Sequence, residues 1–238
     1  MDSKENISVV MPAYNEEEGI GNVVSSFNNM EIVDEVVVAD NNSTDRTVEI
    51  AERNGATVVH EDRQGYGYAM KTALQNASND LVVTVESDQS YDSSDIYKLL
   101  AYREDADIVF GDRTNPSMIR EGAKMGSFLR LGNRFLGRTL QFFFIGPRIT
   151  DVGCSFRLFH REALDKILEH DVRGPNLYAT QLLIEPLKHD MDIVLIPVNY
   201  LERAGESKLT NTMPKSAVIG LNIFRYIVFT GLIQRVKS

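Results

Sequence analysis

Glu86 and Asp88, two carboxylates one residue apart, follow directly on the apolar run 81–85, and Ser90 and Asp92 prolong the oxygen-rich tail. Alternate residues of an extended chain point the same way, so Glu86 and Asp88 can reach into one crevice. Hard divalent ions such as Mg²⁺ or Mn²⁺ take carboxylate, hydroxyl and phosphate oxygens. The stretch LVVTVESDQSYD therefore reads as a cation site at the end of a buried strand, with Glu86, Asp88 and Ser90 as ligands; the plain alternative is a polar strand end leading into a turn. Three other stretches carry groups of the same kind. In Pro12-Ala13-Tyr14-Asn15-Glu16 the proline stiffens a turn, the tyrosine offers a flat face to a base and the glutamate an acceptor to ribose hydroxyls, unless this is only a proline turn before an acidic helix start. In Asp40-Asn41-Asn42-Ser43-Thr44-Asp45, Ser43 or Thr44 serves as a helix N-cap, which leaves Asp40 to accept a hydrogen bond from the ring N–H of uracil or guanine. Gly65-Tyr66-Gly67 would let backbone N–H groups and a helix N-terminus approach phosphate oxygens, although a loop before a helix is the ordinary meaning of such a pair.

These groups need elements that bring them together. Apolar runs at 7–11, 35–39, 57–60, 81–86 and 107–111 read as strands, and helical stretches follow near 17–29, 44–54, 67–77 and 93–103. Such alternation predicts a largely parallel sheet with crossover helices, in which ligands sit beyond the carboxyl ends of the strands. The candidates around Tyr14, Asp40 and Asp88 lie just after strands, and Gly65-Tyr66-Gly67 lies in the loop between the third strand and the next helix. The first turn lacks the glycine-rich fingerprint of dinucleotide binding and no Walker-type loop occurs, so nicotinamide and P-loop chemistry are set aside.

The 238 residues, 43% hydrophobic and 25% charged, suffice for one α/β domain with a tail, and a net charge of −9 argues against a general nucleic-acid binder. The single cysteine, Cys154, excludes an internal disulfide, the four histidines are scattered, and no leader precedes the first strand; a cytoplasmic setting follows as the expectation. Charge is uneven, however. Arg113, Arg120, Lys124, Arg130, Arg134, Arg138 and Arg148 meet one acid, Glu121, in a basic island. Arg130, Arg134 and Arg138 fall four apart, on one helical face beside Phe128, Leu131, Phe135 and Leu136, a pattern suited to an anionic lipid surface or to a solvated face over a core helix. Near the end, Arg203, Ser207 and Lys208 lie in a Gly/Ser loop, and 216–233 is apolar except for Arg225. A charge at the bilayer centre costs about 2.5–3.5 kcal/mol on insertion scales, so the expectation is a helix lying in the interface or packed on 128–145 rather than spanning.

Taken in order, VVMPAYNEE (9–17), VVVADNNSTDRT (36–47), GYGYA (65–69), ESDQSYD (86–92), FGDR (110–113), ITDVGCSFRLFHRE (149–162) and GESKL (205–209) resemble the family-2 glycosyltransferases with the GT-A fold. Within that family the chain looks most like the polyprenyl-phosphate sugar transferases. The resemblance implies that Pro12, Ala13, Tyr14, Glu16, Asp40, Asn42 and Gly67 hold the nucleotide of a sugar-nucleotide donor. Glu86 and Asp88 match the family's Asp-x-Asp, with a glutamate in the first place and Asp88 the firmer ligand. It also implies that Arg113, in the family's Gly-x-Arg, meets the acceptor, that the loop with Arg203, Ser207 and Lys208 clamps the diphosphate or the acceptor phosphate, and that Asp151 and Arg157 lie against the reacting groups. Arg130 and Arg134 are added to the acceptor site from the basic stripe alone, where the spacing departs from the family's.

The resulting expectation is an α/β GT-A domain, 1–212, whose mixed, mostly parallel sheet is flanked by helices. Its donor half is 1–112 and its acceptor half 113–212, and a C-terminal apolar helix follows at 213–238. The expected reaction is inverting, Mg²⁺- or Mn²⁺-dependent transfer of one hexose from a GDP-mannose- or UDP-glucose-type donor to a polyprenyl or dolichyl phosphate. It takes place at the cytoplasmic face of the membrane, with peripheral contact and room for a separate membrane-protein partner. Asp88, Arg113, Asp151 and Lys208 are the catalytic candidates. A hydroxyl acceptor, with Asp151 as base, is the alternative; a non-catalytic nucleotide-sugar-binding subunit is a third reading.

Overall fold

The structure, a computed structural model, describes residues 6–123, 126–205 and 213–237. The apolar runs of the first half form β1 (Ile7–Ala13), β2 (Glu35–Asp40), β3 (Thr57–His60), β4 (Leu81–Thr84) and β5 (Ile108–Asp112), as expected. Between them lie α1 (Ile20–Asn28), α2 (Thr47–Arg53), α3 (Tyr66–Gln75) and α4 (Ile96–Leu100). The second half adds α5 (Ser127–Phe143), β6 (Arg157–His160), α6 (Arg161–Leu168), α7 (Tyr178–Lys188), β7 (Ile193–Pro197) and α8 (Met213–Lys237). α2 starts later than its sequence suggests. Ser43 and Thr44 do not cap it; they bond across to the first loop, Asn15 N to Ser43 Oγ at 2.9 Å and Thr44 N to Asn15 Oδ1 at 2.7 Å.

Side chains alternate across the sheet, so each strand feeds two cores. Val10, Val82 and Ile108 pack with Met70, Leu74, Leu164, Leu183 and Ile227 on one face, while Val9, Met11 and Val83 pack with Val24, Phe27, Ile96 and Leu99 on the other.

The seven strands follow the order β3-β2-β1-β4-β6-β5-β7, all parallel except β6. β6 is absent from the sequence-based expectation because Arg157 and His160 bracket only two apolar residues. β7 ends in Pro197 and takes the sheet edge, where a missing N–H costs no ladder bond. The reversal at β6 decides where the site is built. Its first residue, Arg157, pairs with Thr84 near the end of β4 and with Phe110 near the end of β5, so the segment before β6 enters the crevice that the segments after β4 and β5 also reach.

α8 packs along α5, one of the two arrangements expected for it. Phe224 stacks on Phe135 with ring centroids 5.5 Å apart, and Gly231 lies so close to Phe143 that a Cβ there would sit 2.3 Å from the ring. The helix is also long and apolar enough, by length and composition over Pro214–Val236, to cross a membrane. Leu131, Phe142, Val218, Phe229, Leu232 and Val236 of this pair are exposed.

Candidate active site

A cavity of about 1270 Å³ opens beyond the carboxyl ends of the strands, with Pro12, Ala13, Tyr14 and Glu16 on one wall and Glu86, Ser87, Asp88 and Ser90 on its floor. Arg113 lines it from the segment just after β5, Gly153 from the segment before β6, and Arg203 from the segment after β7. Its roof is apolar: Phe128, Leu129 and Leu136 of α5 face Ile219, Ile223 and Phe224 of α8. One space therefore joins a charged floor to a hydrocarbon-like ceiling.

The floor is held by short local bonds. Asp88 Oδ1 accepts from its neighbour Ser90 N at 2.9 Å, and Ser87 Oγ donates to the Pro12 carbonyl at 2.9 Å, which ties the segment after β4 to the turn after β1. Arg203 reaches back over both: Nη1 is 2.7 Å from Asp88 Oδ2, and Nη2 is 2.6 Å from Glu16 Oε1. Its backbone is pinned on either side, Leu201 N to Ser90 O and Ala204 N to Asp88 O, each at 2.8 Å. Sequence reasoning placed Arg203 in a loop for the diphosphate or the acceptor phosphate; the structure sets it against Asp88 and Glu16.

Glu86 accepts from Tyr66 Oη at 3.2 Å. Burial first, and then the charge of Asp88, raise the Glu86 carboxyl to about 7. A buried carboxyl whose ionisation is opposed by the neighbouring Asp88, with Ser90 lining the same floor, fits a hard divalent cation, whose charge would favour the ionised form.

Arg113 is fixed by Asp151. Nε donates to Oδ2 at 2.8 Å, Nη2 to Oδ1 at 3.0 Å, and the guanidinium lies over the Tyr200 ring, 5.2 Å from its centroid. Burial opposes charge on both partners, but each outweighs it for the other, so Arg113 is held well above and Asp151 below its ordinary value. Asp151 is buried, does not line the cavity, and spends both oxygens on Arg113. It positions that residue and is not placed to act as a base. Arg157 is likewise buried, donating to the Cys154 carbonyl at 2.7 Å with its guanidinium over Phe110.

Several other expectations change. Asp40 turns its carboxylate to the Ser43 amide at 3.3 Å and the His60 ring at 3.4 Å, and Asn41 takes the place on the wall. The Asn42 amide donates to the Glu61 and Asp62 carbonyls, and the Gly67 N–H donates to the Pro175 carbonyl at 2.8 Å, so neither lines the cavity. A Cβ on Gly67 would lie 2.7 Å from that of Tyr178; close packing, not a phosphate, requires the glycine. Arg130 and Arg134 do not line the cavity, because the side of α5 that meets it carries Phe128, Gly132 and Leu136. Ser207 and Lys208 lie outside the described residues. What sequence reasoning missed is Asn41, whose amide donates to the Glu61 and Arg63 carbonyls and accepts from Gly65 N, shaping the loop 61–65 beside the cavity. Only its place after a strand hinted at this.

The family model described as "Glycosyl transferase family 2" matches residues 8–168. The chain is a family-2 glycosyltransferase. The transferase is 34% identical over 223 residues to the dolichyl-phosphate hexose transferase of Haloferax volcanii, covering 93% of each chain. It is 32% identical over 230 residues to glycosyltransferase AglJ of the same organism, covering 94% of this chain and 73% of that one. The transferase is thus related to the dolichyl- and polyprenyl-phosphate hexosyltransferases. Among solved structures, glucosyl-3-phosphoglycerate synthase of Mycobacterium tuberculosis, in complex with Mn²⁺, UDP-glucose and phosphoglyceric acid, is similar with a TM-score of 0.73 and 22% identity over 95% of this chain and 79% of that one. The single domain with its mixed sheet and C-terminal apolar helix is the GT-A fold.

Proposed function

We propose that this transferase moves one hexose from a nucleoside-diphosphate sugar to a polyprenyl phosphate, working peripherally on the cytoplasmic face of a membrane. The observation that carries the reading is the continuity of the cavity, from the Glu86 and Asp88 floor to the apolar roof of α5 and α8. A sugar nucleotide suits the first end and a prenyl chain the second. Pro12, Ala13, Tyr14 and Glu16 would hold the nucleotide. Asp88, with Glu86 and Ser90 beside it, would hold Mg²⁺ or Mn²⁺, which supplies positive charge to the departing diphosphate. Arg203 adds a cation on the same side.

Arg113 would bind the acceptor phosphate, preset by Asp151. A phosphate monoester has a second pKa of about 6 and is already anionic at neutral pH, so it can attack without surrendering a proton to a base. That suits a site whose expected base is engaged. The exposed Leu131, Phe142 and Phe229, with exposed Arg134 and Arg138 among them, suit contact with an anionic lipid surface. A second reading, a small hydroxyl-bearing acceptor, is favoured by the similar fold of the synthase in complex with phosphoglyceric acid. Transfer of radiolabel from GDP- and UDP-sugars, with Mn²⁺ and lipid extract, separates the two. Label in the organic phase is expected; label only in water-soluble product would replace the lipid reading by the second.

A further inference from the structure

The fold gathers a second group of metal-binding side chains, none of which lines the cavity. His170 lies in the turn after α6, while Glu185 and His189 stand one helical turn apart at the end of α7. His170 Nε2 is 3.4 Å from His189 Nε2 and 3.5 Å from Glu185 Oε2. An ion bound tetrahedrally at about 2.0–2.2 Å requires ligand atoms roughly 3.3–3.6 Å apart; His170 stands at that spacing from both partners, and all three ligand atoms lie within 4.8 Å of one another. By contrast, 3.4 Å is long for an N–H···N hydrogen bond between the rings, since such contacts centre near about 2.9–3.0 Å. Glu185 is buried, at 2% exposure, so its carboxylate is a fixed ligand rather than a solvated one. The two rings lie edge to edge, centroids 5.7 Å apart and 25° between planes, so their nitrogens face each other and each ring must turn for an ion to sit between them.

We propose that His170, Glu185 and His189 form a site for a borderline transition ion such as Zn²⁺, Ni²⁺ or Co²⁺, with the fourth position open to water. Two imidazoles and one carboxylate select such ions over Mg²⁺, which favours oxygen alone. Lys188 is the competitor, since its ammonium pairs with the same Glu185 oxygen and must leave when the ion binds. Lys71 stands nearby, but its ammonium is spent on the His170 carbonyl at 2.8 Å and lies 3.9 Å from Asp171. A bound ion would fasten the turn after α6 to α7. Its role there is structural, because the same turn leads to Pro175, which accepts the Gly67 N–H.

The test uses the full chain carrying Asp88→Asn, so that the proposed catalytic cation site does not report. Titration with Co²⁺ is expected to give the intense visible absorption of a tetrahedral ion at one equivalent, and Zn²⁺ should displace it. His189→Ala and His170→Ala should each weaken Co²⁺ binding tenfold or more, and Lys188→Gln should strengthen it severalfold. His189 is exposed, so its variant keeps the fold, which the metal-free melting temperature checks. Weak octahedral-type absorption, or equal affinity in the histidine variants, overturns the proposal and leaves the transfer reaction untouched.

Discussion

Arg203 and Asp88 form an ion pair on the cavity floor, Nη1 to Oδ2 at 2.7 Å, and the same guanidinium also holds Glu16. The arginine therefore occupies a carboxylate oxygen that a catalytic cation would use. Removing it should ease cation binding in the donor-free protein. Arg203→Ala is expected to tighten Mn²⁺ binding about fivefold, the equivalent of a partly exposed pair worth ~1 kcal/mol. Calorimetric titration checks this; unchanged or weaker binding would move the cation off Asp88.

Asp88→Asn keeps an oxygen for the Ser90 amide while removing the charge. Transfer should fall by about a thousandfold, the scale of losing a main electrostatic contact to the transition state, with melting temperature within a few degrees of the parent. Retained activity would sink the cation role.

The Arg113–Asp151 pair is buried and doubly bonded. Breaking such a pair from one side leaves an uncompensated charge, so Asp151→Ala should destabilise the fold by about 3–5 kcal/mol in urea titration. Arg113→Ala should raise the acceptor KM more than the donor KM. Equal effects would remove Arg113 from the acceptor end.

Glu86 gives a pH signature. Its carboxyl lies near 4.5 ordinarily and near 7 in the fold. A folded value above the unfolded one means that its contribution is complete below pH 4.5 and is lost as pH rises through 7. Without divalent cation, the parent should lose several degrees of melting temperature across that window relative to Glu86→Gln, and Mn²⁺ should restore them. Parallel pH profiles of the two proteins would contradict a Glu86 carboxyl raised by its burial and by Asp88.

Leu131 and Phe229, 68% and 67% exposed, lie on the outer sides of α5 and α8. Burying one such side chain contributes about 1.5–3 kcal/mol. Leu131→Asp with Phe229→Asp should therefore weaken co-sedimentation with anionic vesicles by tenfold or more. Equal sedimentation would detach the membrane from this face.

Part of the cavity lining was legible, because β4 is mostly apolar and Glu86, Asp88 and Ser90 follow it directly, as Tyr14 and Glu16 follow β1; after β2 the same reasoning chose Asp40 where Asn41 lines the cavity. β6 was not, since two apolar residues between Arg157 and His160 give no period to read. Helical spacing put Arg130 and Arg134 on one face of α5 but could not say which face meets the cavity. Asp151 was read as reactive from its motif, whereas the structure shows both its oxygens bonded to Arg113. His170 and His189 looked scattered; Glu185 and His189 at four apart were a visible signal, but only tertiary packing adds His170.

The reversed strand also has an evolutionary corollary. Because β6 runs against its neighbours, the connection 144–156 ends inside the crevice rather than on the far side of the sheet. Lengthening or reshaping that connection would remould one side of the cavity while the parallel strands β1–β4 stay unchanged, so new ligands can be sampled without rebuilding the scaffold.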